Sequence, residues 1–501
     1  MANEQLLTLV SLFTPSTLFY LFLGTFLGIV VGALPGLTAT MAVSLLVSLT
    51  YGMKGANAII ILLSVFLGGI YGGSRSAILL NIPGTPSSAA TALEGWPLSL
   101  KGQGTLAGIS VTTCSALGGL FGLVMLVFAT PLLATFALKF GYWEYFWLAM
   151  MGVLISASIT NDSKMYKGIL SGLFGMLIAS VGIDPIHGYP RFVFGYNKLM
   201  GGINLVPAMI GLFGIAEVFT SLSNPGSHDV VETKDKYTIP MAVKESFRQI
   251  KKNIRVFSIS SVIGTLIGAL PGTGPDIASW VAYGSAKRSS KHKEEFGHGS
   301  WEGILASETA NNAATSGVFI PLLTLGIPGD AVSAVIMGGI QMHGYRPGPT
   351  FFFDSPGFIY FIAGGLLLVN IVMWIEGIAI TPVISRILKA PVGIIMPIVV
   401  VLCIVGSYTI NLLKFDVIVM IIFGFLGMLM RKLKIPAAPM TLGLILGSLA
   451  DLSFRRGILA GNFSILSFFT RPLSFFLVIS LALAMIWPSV QKRRQAKKAG
   501  R

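Results

Sequence analysis

Long uncharged apolar runs alternate along this chain with short polar or basic segments. Ile59 to Gly73, Leu106 to Ala137 and Leu473 to Pro488 carry no charged side chain. Such runs approach or exceed the roughly 20 residues that span a bilayer's hydrocarbon. About a dozen of them recur, so the pattern predicts a bundle of membrane helices with about 11–12 transmembrane segments. Two segments depart from the simple span. Val256 to Ala286 lies between basic loops and is about 31 residues long, too short for two crossings at roughly 20 each. It is expected to dip in, turn at Leu270-Pro271-Gly272 and return as a re-entrant hairpin. Leu18 to Tyr51, turning at Pro35-Gly36, has the same form.

That likeness is part of a longer repeat. Gly28-Ile-Val-Val-Gly32-Ala-Leu-Pro-Gly36 matches Gly264-Thr-Leu-Ile-Gly268-Ala-Leu-Pro-Gly272 at an offset of 236. Asn81-Ile-Pro-Gly84 matches Gly326-Ile-Pro-Gly329 at 245, with Ser88-Ala89 on Ser333-Ala334. Thr130-Pro131 falls on Thr381-Pro382 at 251, and Gly172 to Leu177 on Gly424 to Leu429 at 252. Four matches in one order, with a slowly drifting offset, predict two copies of one unit. The expected organisation is a first repeat over 1–222, a linker over 223–255, a second repeat over 256–452, and 453–501 as an extra helix with a basic tail. Each copy would hold one hairpin and five crossings. Five is odd, so the second copy is expected to be inverted.

Charge changes the picture only by fixing sides. The chain carries +15 net charge, which in a soluble protein would suggest nucleic acid. Apolar residues make up 53%, charged residues 11%, and the mean hydropathy is +0.79; soluble domains carry roughly 25% charged residues. The cations cluster in loops: Lys234 to Arg255, Lys287 to Lys293, and Lys492 to Arg501. Positive loops stay cytoplasmic, so the charge reports topology. Arg455-Arg456 fall outside, against that rule. Met1 to Gln5 lacks the basic start of a cleaved signal. Cys114 and Cys403 sit in apolar runs and read as buried thiols.

Candidate chemistry gathers at four helix interruptions, the two Leu-Pro-Gly turns and the two Ile-Pro-Gly turns. Proline removes a backbone donor and glycine permits unusual dihedrals, so each pair breaks a helix. Broken helices in inverted repeats are where secondary carriers bind their substrates. Freed amides there suit an anion. The predicted substrate-binding set is Gly36, Thr38, Ser74, Arg75, Asn81, Gly84, Thr85, Gly272, Thr273, Asn312, Thr324 and Gly329. Small polar residues also serve close helix packing, and that plainer reading stands beside each of them. Intramembrane ionisable groups are costly and point to function. Arg75 could clamp a carboxylate or pair internally with Glu308. Glu308, Asn311, Asp276 and Asp330 could hold Na+ or accept a proton, and Asp330 could equally cap a helix. No cofactor is expected. The five histidines show no HExxH spacing, and no GxSxG elbow or Walker A loop occurs, so neither hydrolase nor ATPase chemistry is supported.

Gly32-Ala-Leu-Pro-Gly36-Leu-Thr, Tyr71 through Pro86, and Ser307-Glu-Thr-Ala-Asn-Asn312 through Gly329 resemble the large membrane subunit of tripartite tricarboxylate transporters, the TctA type. The resemblance covers essentially the whole chain. It implies a small four-helix membrane subunit, a periplasmic substrate-binding protein, and uptake of citrate-like carboxylates across a bacterial inner membrane on a sodium or proton gradient. The family usually reads Asp-Gly where this chain has Glu94-Gly95, which weakens any fixed role for that carboxylate. The order of hairpin then broken helix also resembles elevator carriers. A stand-alone ion-coupled symporter and a polytopic membrane enzyme remain the alternatives. The expected fold is all-α and polytopic, with two inverted repeats.

Overall fold

In the computed structural model, residues 9–34, 37–159, 165–223, 235–351, 355–388, 392–483 and 485 are described. The chain is an all-α multi-pass bundle. Six of its described helices are long and apolar enough to cross a membrane, and six shorter apolar helices accompany them. The first half runs α1 (Pro15–Ala33), α2 (Ala39–Leu49), α3 (Gly55–Leu80), α4 (Ala89–Leu98), α5 (Gly104–Ala137), α6 (Tyr142–Ile159) and α7 (Met165–Ala179). A two-stranded ribbon, Gly182–Ile183 with Pro190–Arg191, precedes α8 (Leu205–Met209), which passes through a π turn at Ile210–Ile215 into α9 (Ala216–Ser223). The second half runs α10 (Ile239–Lys252), α11 (Ile254–Gly268), α12 (Gly274–Ser289), α13 (Trp301–Gly317), α14 (Phe319–Leu325), α15 (Ala331–Met342), α16 (Pro356–Ala379), α17 (Val392–Thr409), α18 (Lys414–Lys432) and α19 (Ala437–Ala460).

Local sequence sets the ends of these helices. Thr14 caps α1 ahead of Pro15, and Ser300 caps α13 by accepting from the Gly303 amide. α3 stops at Asn81, whose φ of 56° is left-handed, and α14 stops the same way at Gly326, φ 69°. Asn tolerates that conformation at a helix end and Gly adopts it freely. Both expected interruptions of α3–α4 and α14–α15 are therefore present. So is the turn between α11 and α12, where Gly272 has φ +82°. Pro35 and Gly36, at the matching turn between α1 and α2, lie outside the described residues.

Small residues let these elements touch backbone to backbone. A Cβ on Gly32 would lie 2.1 Å from the Gly69 carbonyl oxygen, and one on Gly268 would lie 2.5 Å from that of Ala314. Gly28 meets Val65 as Gly264 meets Ala310. A Cβ on Gly84 would strike the Gly32 carbonyl, and one on Gly329 would strike that of Gly268. Each pair of contacts recurs at the sequence offsets of 236 and 245. A second set crosses between the halves. Gly175 on α7 packs against Met440 on α19, and Gly427 on α18 packs against Leu212 in the π turn.

The course of the helices sorts the loops into two ends, each tied by contacts between its own loops. At one end His343 meets Thr50, Arg471 meets Glu144, and Arg455 meets Asp184. At the other, the Lys236 amide donates to the Gly102 carbonyl, Lys101 to that of His298, and Arg431 pairs with Glu217. The basic segments around α10 and after α12 belong to this second end. Arg455, the misfit among the charges, is thus neutralised by a buried partner. Its guanidinium holds the Asp184 carboxyl well below the usual range.

Candidate functional site

Glu308 lies on α13 with no exposed surface, among side chains from three first-half helices. Ser74 of α3 donates to its Oε1 at 2.6 Å, Thr91 of α4 donates to the same oxygen, and Ser115 of α5 donates to Oε2 at 3.1 Å. Asn312 supports Ser115 through an Nδ2 to Oγ bond of 2.8 Å. The interface exists because these helices are lined with Gly, Ala and Ser, so that α5 approaches α13 closely: a Cβ on Gly118 would lie 2.4 Å from the Thr309 carbonyl oxygen. Among the described residues no basic side chain forms an ion pair with Glu308. Among the described residues the amide oxygens of Asn311 and Asn312 and the Asn311 Nδ2 are buried without a partner. Buried polar atoms are normally satisfied, so a group of them on the turn of α13 that follows this carboxylate requires explanation.

Arg75 forms a separate knot. Its Nε donates to the Tyr71 hydroxyl at 2.7 Å, and Nη2 donates to Thr112 Oγ1 at 2.9 Å, the Gly377 carbonyl at 2.5 Å and Thr381 Oγ1 at 3.3 Å. Gly108 leaves the space that Nη1 fills. Among the described residues the guanidinium has no carboxylate in ion-pair range, so the expected Glu308 partner is not in contact with it. Neutral acceptors tie α3 to α5 and α16 through this one side chain.

The residues at the breaks divide by what their polar atoms already do. Thr38 caps α2 through the Met41 amide at 3.1 Å. Thr85 and Ser88 form a reciprocal capping box, as do Asp330 and Ser333 at the start of α15. Thr273 turns back to the Ile267 and Leu270 carbonyls, and Thr324 donates to the Ile320 carbonyl at 2.7 Å. Asn81 is exposed; Asp276 keeps an open edge, but its carboxyl group is enclosed beside that of Asp330 and takes the Ser87 amide. The second hairpin turn reaches three neighbours: Gly274 abuts Asp330, Gly272 abuts Gly152 of α6, and Asp276 abuts the first break at Ser87. A cavity of about 540 Å³ opens beside Leu325 and Gly326 at the second break, with Tyr145, Gln341 and Thr350 among its polar lining.

Glu94 is fully committed. Its oxygens accept from the Tyr283 hydroxyl at 2.6 Å and from the amides of Gly297, Gly299 and Ser300 at 2.7, 2.9 and 2.7 Å. The longer side chain therefore has a fixed place, clamping the α12–α13 loop onto α4.

Thr91, Ser115, Tyr71 and Thr112 were not legible as site residues. Each is a hydroxyl on a helix that carries several others or none of evident function, and only the fold shows which face it occupies.

Comparison with known proteins gives a consistent result. The family described as "Tripartite tricarboxylate transporter TctA family" matches residues 18–442. An uncharacterized 52.8 kDa protein in the TAR-I ttuC' 3' region of Agrobacterium vitis is 36% identical over 484 residues, 96% of this chain and 95% of that protein. An uncharacterized protein in the TAR-II ttuC' 3' region of the same organism is 34% identical over 235 residues, 46% of this chain and 97% of that protein. No solved structure matches the chain.

Proposed function

The chain belongs to the tripartite tricarboxylate transporter TctA family, and on that premise we propose that it is the large subunit of a secondary carrier importing small, citrate-like carboxylates across a bacterial inner membrane. In this reading a periplasmic binding protein delivers the substrate, a small four-helix membrane subunit completes the assembly, and a Na+ or H+ gradient drives uptake.

The observation that carries the coupling half is Glu308. A carboxylate solvated by three hydroxyls, with no cation in ion-pair contact among the described residues and only the Arg75 charge acting on it from beyond that range, has a strong demand for positive charge in a low-dielectric interior. A proton meets that demand. So does Na+, with the partnerless oxygens of Asn311 and Asn312 extending an all-oxygen donor set of the kind hard cations take. Asp276 is a second candidate for the coupling ion. Asp330, engaged in its capping box, is a weaker one.

For substrate, the reading favours the first break and the second hairpin turn, with Asn81, Gly84, Gly272 and their backbone donors around it. The cavity beside Gly326 falls within the size range of small-molecule sites and suits an approach from the periplasm. An anion near Asp276 is repelled unless a cation intervenes, so substrate and coupling ion would bind together. The recurrent glycine contacts support the duplication over 1–222 and 256–452, and an odd crossing count supports inversion. An elevator-like movement follows by analogy with inverted-repeat carriers.

Counterflow tests this against its rivals. Vesicles holding the reconstituted subunits and loaded with unlabelled citrate are expected to accumulate external labelled citrate transiently above equilibrium. Simple equilibration would indicate a channel, and chemically altered label an enzyme.

A further inference from the structure

We propose that α10, with Arg255 just beyond it, is an anionic-phospholipid binding surface lying at headgroup level on the basic end of the bundle. The helix has two faces. Ala242, Ser246 and Ile250 are buried against the bundle, with Ser246 Oγ 3.2 Å from Thr113 Oγ1 on α5 and Phe247 edge-on to Trp374 of α16. The opposite face shows Lys244, Arg248, Lys251 and Lys252 to the outside, flanked by exposed Met241 and Phe247. Among the described residues only Arg248 of these cations has an acidic partner, Glu245 at 3.5 Å. A stripe of four cations edged by apolar side chains fits an interface that is negative and greasy at once.

The neighbouring helix fixes what that face meets. α11 follows after a break at Asn253, and its outward positions Ile254, Ile259, Val262 and Leu266 are all exposed. In a membrane protein those positions lie against acyl chains. The cations of α10 and exposed Arg255 sit at the beginning of that apolar stripe, where lipid phosphates are. Negative headgroups match them in charge, and each exposed Lys or Arg adds to the attraction. α10 is also tied by Ser246 to Thr113, next to the Thr112 that holds Arg75. Bound lipid would therefore brace the α5–α16 contact and raise thermal stability.

The test uses the purified full chain in detergent, titrated with phosphatidylglycerol or phosphatidylcholine while the melting temperature and retained lipid (by native mass spectrometry) are followed. Phosphatidylglycerol is expected to raise the melting temperature and remain bound, and phosphatidylcholine to do neither. The variant K244Q/R248Q/K251Q/K252Q should raise the half-saturating lipid fraction by about tenfold or more. A control, K287Q/R288Q/K291Q/K293Q, removes as many cations elsewhere at the same end and should respond like the wild type. Should the fourfold variant fold poorly, K251Q/K252Q carries the same expectation at smaller size. Glycerol phosphate should give no stabilisation, since the surface needs a lipid and not a free phosphate. Unchanged phosphatidylglycerol binding in the α10 variants, equal loss in the control, or equal stabilisation by glycerol phosphate would overturn the proposal.

Discussion

Glu308 and Arg75 are both ionisable and both buried, yet their surroundings differ in kind. Arg75 is held by neutral acceptors on three helices, which makes it a tether in the fold. A lysine ammonium is a point charge and cannot reach Tyr71 and Gly377 together as the planar fork does. Arg75→Lys is expected to lower unfolding stability by about 1–3 kcal/mol, with transport falling only as folded protein falls. Normal melting with abolished transport would return Arg75 to the substrate. Asp184 makes a different case at the other end of the bundle. Its carboxyl is depressed by Arg455, so its contribution is complete above the unfolded value of about 4 and is lost only as pH falls further. In a His187→Gln background, which removes the imidazole bonded to this carboxylate, Asp184→Asn should therefore lower the melting temperature by the same amount at pH 5 and pH 8, with the gap closing only in stronger acid. A gap that closed between pH 8 and 5 would contradict the pairing. At this scale the sequence was a partial guide. Glu308 and Arg75 stood out because charges are rare in apolar runs. Their partners did not, because a lone Ser or Thr in such a run is as often a packing residue.

Hairpins and breaks were more legible than side chains. Leu-Pro-Gly and Ile-Pro-Gly carry backbone consequences that no tertiary contact erases, and the described interruptions fall at Asn81 and Gly326 and at Gly272. The capping roles of Thr38, Thr85 and Asp330 depend on local geometry beyond residue type, so the sequence could not separate them from ligand contacts. Two consequences belong to this scale. Gly268 touches both Ala314 and Gly329, so Gly268→Val pushes α11 away from α13 and from the second break. Overpacking of this kind costs about 1–3 kcal/mol and often more, and the variant should melt well below the wild type, whereas Gly188→Val, in open space, should cost less through strain alone. The Glu94 clamp gives the second. Glu94→Ala leaves three backbone amides of the α12–α13 loop without their acceptor, a loss of about 3 kcal/mol or more. Limited proteolysis should cut that variant within residues 290–300 first, and an unchanged cleavage pattern would remove the clamp from the account.

Across the whole molecule the two halves are interlocked. α7 packs on α19 while α18 packs on α8 and the π turn, so each half completes the other. Glycine spacing records close helix contacts directly, so the offsets of 236 and 245 that align the sequence motifs also align the Gly32–Gly69 contact with the Gly268–Ala314 contact. The exchange between halves was not visible, since contacts at long range leave no local pattern. Glu308 sits where helices from both halves meet, and that position is the reason to give it the coupling role. Neutralising a coupling carboxylate should separate downhill exchange from uphill accumulation. The most direct test is labelled citrate uptake by proteoliposomes containing the full assembly, driven by an imposed Na+ or H+ gradient, for wild type and Glu308→Gln. The wild type should accumulate citrate above its external concentration with one of the two gradients, and Glu308→Gln should keep citrate exchange while losing that accumulation. Gradient-driven accumulation by Glu308→Gln at the wild-type level would contradict the account.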